Sequence, residues 1–182
     1  MLHLDLSFEI VIGGGTGGKG AALSYGGGLP LEHMGAAGGG LGLRVQFATL
    51  DDVGDGPAIR ALYDGARLGS WPTSDLRSAR LTPVRLTVSS GGQLTLLYGN
   101  ATVFDALRVP GWAPLPSWEL AISAATGAGT DNHWIDSLQL RTGAHVSPTP
   151  TAVRLALNGQ QFDGGVDDAP DAYYVYEEAG AG

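Results

Sequence analysis

The acidic run Asp51-Asp52-Val53-Gly54-Asp55-Gly56 places three carboxylates within five residues. Spaced by glycine, they offer hard oxygen ligands to calcium, with Asp52 and Asp55 as the candidate ligands. The run lacks the EF-hand spacing, and Asp and Gly are also ordinary turn residues. A second motif, Gly13-Gly14-Gly15-Thr16-Gly17-Gly18-Lys19-Gly20, follows a strand pattern and nearly matches a phosphate-binding loop. That chemistry needs backbone amides at a helix N-terminus and a Ser or Thr hydroxyl on magnesium. Position 20 is Gly, and Ala21 to Gly28 leave no room for a helix before Pro30, so the motif is expected to be a strand-to-strand loop. His3, His33, His133 and His145 are scattered, with no two at ligand spacing. There is no cysteine, no G-x-S-x-G elbow and no Glu-x-Asp-x-x-Glu pair of the kind a glycosidase needs. The sequence therefore predicts a non-catalytic protein. Asn100-Ala101-Thr102 is a glycosylation sequon.

These residues must be positioned by strands. Val84-Arg85-Leu86-Thr87-Val88, Trp134-Ile135-Asp136-Ser137-Leu138-Gln139-Leu140 and Ala152-Val153-Arg154-Leu155-Ala156-Leu157 alternate apolar and polar, and Leu94 to Tyr98 does so in part. Ser89-Ser90-Gly91-Gly92 separates two such runs as a hairpin turn. Phe8 to Ile12, Gly40 to Phe47 and Trp118 to Ala124 are further strands, and only short stretches such as Ser74 to Arg80 suit a helix. Trp118 and Trp134 open strands and are expected in the core, whereas Trp71 and Trp112 sit beside prolines in loops. Many short strands joined by Gly-rich turns predict an all-β antiparallel sandwich.

Composition narrows the partners. Of 182 residues 30 are Gly, and 10 basic against 18 acidic residues give a net charge of −8. With one Lys, Lys19, and no basic cluster, nothing is arranged to bind nucleic acid. No apolar run is long enough for a membrane span. The chain enters strand residues within its first ten positions with no signal peptide, which predicts an excerpt of a longer polypeptide or a misplaced start.

Three segments, Phe8 to Tyr25, Gly38 to Asp52 and Trp118 to Leu140, together resemble the legume-lectin-like, concanavalin-A-like jelly roll. The resemblance rests on Gly42-Leu43-Arg44-Val45-Gln46-Phe47-Ala48-Thr49, then Ser123-Ala124-Ala125-Thr126-Gly127, then Asp131-Asn132-His133-Trp134-Ile135-Asp136. It implies a sugar site built from loops at one end of the sandwich, with calcium holding an Asp and an Asn. The family's first-loop Asp corresponds to Lys19, its metal-binding strand Asp to Ala48, the Glu two residues earlier to Gln46, and the Asn of the following loop to Asp52. The glycine of the second loop corresponds to Gly39 or Gly40, and the last loop to Thr130-Asp131-Asn132-His133. By resemblance, the candidate carbohydrate-binding residues are Lys19, Gly39, Gly40, Asp131, Asn132 and His133. Three expected carboxylates are missing, and Lys19 is placed to replace the ion's charge beside Asp51 or Asp52.

Beyond the Pro-rich stretch 144–151, expected to be a linker after a sandwich spanning 1–143, residues 152–182 carry six acidic residues against Arg154 alone. Ala152 to Phe162 and Tyr173 to Tyr176 resemble the first hairpin of an immunoglobulin-like module of the IPT type. Two strands do not stand alone and need a partner: the rest of such a module, the sandwich, or another chain. The expected function is an extracellular or cell-surface recognition module binding a glycan or glycoprotein. The alternative is a structural, protein-contacting module among neighbouring modules of one assembly, with a degenerate sugar site, and a polysaccharide-active enzyme on the same sandwich ranks third.

Overall fold

A computed structural model describes residues 2–30, 34–50, 56–113, 118–142, 152–157 and 160–161. In strand β1 (Leu2–Gly13), Leu4, Leu6, Phe8, Ile10 and Ile12 point inward and are buried, while Asp5, Ser7 and Glu9 point outward. The same period of two sets the inward faces of β3 (Leu41–Ala48), β6 (Thr82–Ser89) and β7 (Gln93–Tyr98). Two sheets result. The five-stranded sheet has the order β10 (Asn132–Thr142), β1, β6, β7, β8 (Ala101–Arg108). The seven-stranded sheet has the order β12 (Gln160–Gln161), β11 (Ala152–Leu157), β9 (Glu119–Ala125), β2 (Gly20–Gly27), β3, β4 (Ala58–Tyr63), β5 (Ala66–Pro72). Their facing sides form one core, and the expected sandwich is the observed fold.

Strand β2 is buried on both faces because residues 28–30 and 34–40 lie over the outer side of its sheet. There, Leu29 and Met34 pack with Ala121, and the 3₁₀ turn Gly35–Ala37 accepts a bond at Gly35 from the buried Ser123 hydroxyl. The Ser74–Arg80 stretch forms only a 3₁₀ turn, Asp75–Arg77. Gly92 N–H bonds back to the Ser89 carbonyl and closes the β6–β7 hairpin.

All strand pairs are antiparallel except β11, which lies parallel to β9 with Ala152 opposite Glu119 and Leu157 opposite Ala124. The first strand of the predicted C-terminal hairpin therefore has a partner, the sandwich edge. Within that same segment β12 pairs antiparallel with β11, Ala156 opposite Gln161. Stretch 144–151 and the Tyr173–Tyr176 run lie outside the described residues.

Two sequence expectations about aromatics change. Trp118 is buried beside Tyr25, their rings 4.6 Å apart, and helps close the end of the sandwich opposite Lys19. Trp134 is 61% exposed, not in the core: it stands opposite Val11, on the outward face. Asp136 and Ser137 explain the error, because the strand bulges there, and alternation alone does not say which face is inward. Trp71 lies on β5, not in a loop, and packs against the core.

Candidate functional site

Four loops meet at one end of the sandwich: β1–β2, β3–β4, β5–β6 and β9–β10. Thr16 and Thr130 lace the first to the last, each accepting the other's backbone N–H at its hydroxyl, at 3.1 and 3.2 Å. Gly17 N–H donates to the Thr130 carbonyl at 3.1 Å. The approach is close enough that a Cβ at Gly15 would collide with the Thr130 carbonyl, which is a physical requirement for glycine there. Lys19 N–H donates to Ala125, and its carbonyl accepts Thr49 N–H, so the β3–β4 loop joins the same end. Strand β1 belongs to one sheet and β2 to the other, so the Gly-rich loop crosses between sheets and opens no helix.

Asp131 is the hub. Its side chain is fully covered, and its carboxylate accepts Arg77 Nε at 2.8 Å, Arg77 Nη2 at 2.9 Å and Gly15 N–H at 3.2 Å. Arg77 also donates to the Gly15 carbonyl at 3.0 Å. The bond from Arg77 holds the Asp131 carboxyl below the usual range against the opposing effect of burial. Sequence reasoning missed Arg77. Nothing in its neighbourhood marks it; only the return of the chain between β5 and β6 brings it within reach, 54 residues from its partner.

Among the other candidates, Lys19 is exposed, with its aliphatic stem lying across Gly127. Its proposed partners Asp51 and Asp52 lie outside the described residues, as does Asp55. Among the described residues, the cation that meets an acid at this end is Arg77. Asn132 is exposed on the outward face, two residues from Trp134. His133 faces inward opposite Ile12, and its ring nitrogens are buried, with no partner at hydrogen-bond geometry among the described residues. Burial pushes its pKa down, opposed by the charge of Asp131. Gly39 and Gly40 lie away from this cluster: Gly39 N–H donates to the Ser24 hydroxyl at 3.1 Å, and Gly40 sits against Leu29 and Gly27, where β2 ends. The loop end thus joins Lys19, Asp131, Asn132 and His133 and leaves out the two glycines. Asn100 is exposed in the two-residue turn between β7 and β8, with Gly99 at φ 58 beside it.

The described residues do not fit a calcium ion. None of their His, Asp and Glu side chains gather in a group of three or more, and the Asp131 carboxylate already meets a guanidinium. Among the described residues no helix is long and apolar enough to cross a membrane.

The fold is that of a legume-lectin-like sandwich. The chain is similar to the exoplasmic/lumenal domain of VIP36, solved in a Ca2+/Man3GlcNAc-bound form, with 22% identity and a TM-score of 0.54 over 81% of this chain and 72% of that one. At that identity the likeness carries the fold. No protein-family model matches the sequence, and no curated protein does.

Proposed function

We propose that the chain is a non-catalytic glycan-recognition module acting on an extracellular, cell-surface or lumenal protein, with its binding face at the loop end. The observation that carries this reading is the meeting of four loops at one end of a lectin-like sandwich, in a fold shared with a domain solved with Man3GlcNAc. Lys19 and Asn132 are the exposed donors there, while Asp131 orients the loops through Arg77 and Gly15. A calcium role rests on Asp52 and Asp55 of the β3–β4 loop. A glycan array with and without EDTA tests the reading. Binding lost with EDTA supports a metal-dependent site, binding indifferent to EDTA supports a metal-free one, and no binding overturns the reading.

One observation favours the second reading, a protein-contacting module with a degenerate sugar site: the last-loop carboxylate is fully engaged within the chain. For residues 152–182, the pairing of β11 with β9 favours an extension of the sandwich over the start of an IPT-type module. Truncation after residue 143 tests that boundary: a lower melting temperature supports the extension, and an unchanged one supports a separate module.

A further inference from the structure

The outer face of the five-stranded sheet has a different character from its neighbours. Trp134 lies on it with 61% of its surface open. A large indole left in water on a rigid strand gives up the burial that usually keeps Trp in a sequence. Val11 stands directly opposite Trp134, and the neighbours around that pair are polar: Asn132 and Asp136 two residues away on β10, and Glu9 diagonally across on β1. Glu9 stands directly opposite Asp136. Like charges in that position destabilise a sheet, and among the described residues no ion pair or hydrogen bond of Glu9 offsets this.

Beside this pair, the sheet surface hollows into an open groove of about 340 Å³, in which Glu9, Arg85, Ser137 and Gln139 stand among apolar residues that include Val84 and Leu97. Ser137 takes φ 55, a left-handed conformation rare for a residue other than Gly, at the bulge where the register shifts between Ser7 and Glu9. Bulges and strained residues gather where a surface is shaped for a ligand. The Arg85 guanidinium is engaged by Asp5 through Nε at 3.1 Å and Nη2 at 2.9 Å, which offsets its charge and leaves Glu9 as the other charged group of the groove lining.

We propose that this face is a second glycan site, distinct from the loop end, that takes a neutral pyranose. The sugar's C–H face stacks on Trp134, and vicinal hydroxyls donate to the Glu9 and Asp136 carboxylates, with Gln139 and Ser137 reaching the next residue along the groove. A flat apolar face rimmed by hydroxyls is what one aromatic plane flanked by paired acceptors complements. Acidic sugars are excluded by the opposed carboxylates and by the chain's net charge of −8. The inference shares with the previous section the reading of the chain as a glycan binder, but places binding on other residues.

The test is titration of the whole chain with neutral manno-, cello- and chito-oligosaccharides, and with oligogalacturonate, followed by tryptophan fluorescence and calorimetry. Trp134→Ala and Glu9→Gln are compared with Lys19→Ala, and sedimentation is run alongside. The expected result is binding of a neutral oligosaccharide that weakens tenfold or more in W134A and E9Q, with an unchanged melting temperature, and that survives in K19A. Binding lost in K19A but intact in W134A overturns this site and leaves the loop-end reading standing. No binding by the unaltered chain overturns both. A W134A change from dimer to monomer without any sugar affinity overturns it in favour of self-association, and equal affinity for oligogalacturonate overturns the charge argument.

Discussion

At the loop end, the acid meets a cation; on the outer face of the five-stranded sheet, Asp5 meets Arg85 while Glu9 stands opposite a second carboxylate, Asp136. Asp131 meets a guanidinium and a backbone amide, and Thr16 and Thr130 trade hydrogen bonds. Trp134, by contrast, faces solvent, and among the described residues Glu9 has no such closure. The difference teaches that residue type is a poor guide to availability. An Asp in the expected recognition loop is occupied by the fold, and a Trp at an expected core position is open.

The largest effect should come from two tryptophans of opposite fate. Trp118→Ala removes a side chain 1% exposed at the closed end and should cost about 3–5 kcal/mol in denaturant unfolding. Trp134→Ala should stay within about 0.5 kcal/mol. Similar losses for both would erase the contrast between buried and displayed aromatics.

Next comes the clamp. Asp131→Ala should destabilise by about 1–3 kcal/mol, reduced from the cost of a fully buried pair because the Arg77 side chain is 36% exposed and screened by water. Glu9→Gln, on the other face, should be neutral or slightly stabilising, since it removes a like-charge pair. A stabilised Asp131→Ala would mean that the loops do not depend on the clamp.

A pH effect separates two groups at the same end. Folding lowers the His133 pKa from its ordinary 6.5, so the unfolded chain binds a proton first as pH falls. Stability linked to His133 is therefore complete above about pH 6.5 and declines below it toward the folded value. The Asp131 pKa is also lowered, and its contribution is lost only as pH falls through the carboxylate range and below. The melting temperature should drop between pH 7 and 5, and His133→Leu should flatten that drop while leaving the loss near pH 3. The shift should be a few degrees, at roughly 2–4 °C per kcal/mol for a chain of this length. A drop that persists in His133→Leu would place the titration elsewhere.

The smallest expected change is that of EDTA on thermal stability. With no fitting donor set among the described residues, a shift would come from outside them, and Asp52 and Asp55 are the candidates. A rise in melting temperature with added calcium that disappears in Asp52→Asn would assign the ion to that loop.

Much of the fold was legible because alternation is a local property. Leu4 to Ile12 and Val84 to Val88 announce half-buried strands, and Gly-rich punctuation marks where they turn. The site was legible in part. Asp131, Asn132 and His133 fell at the loop end by resemblance, but their states did not follow. His133 faces inward, Asn132 outward, and Asp131 toward a partner beyond any sequence window. Gly39 and Gly40 were drawn to the site by order along the chain, and the fold-back over β2 carried them elsewhere.

By itself, the sequence determined an all-β sandwich and a chain without cysteine, a basic cluster or a Glu-x-Asp-x-x-Glu run. Those conclusions follow from composition and period-two patterning, which depend only on neighbours in the chain. Tertiary structure alone decided that Arg77 closes the loop end, that β11 joins the sandwich and that Trp134 faces out beside a strained bulge. Each of these depends on contacts between distant segments or on which face of a strand is turned inward. Pairing register and chain return fix those choices, and no local pattern encodes them.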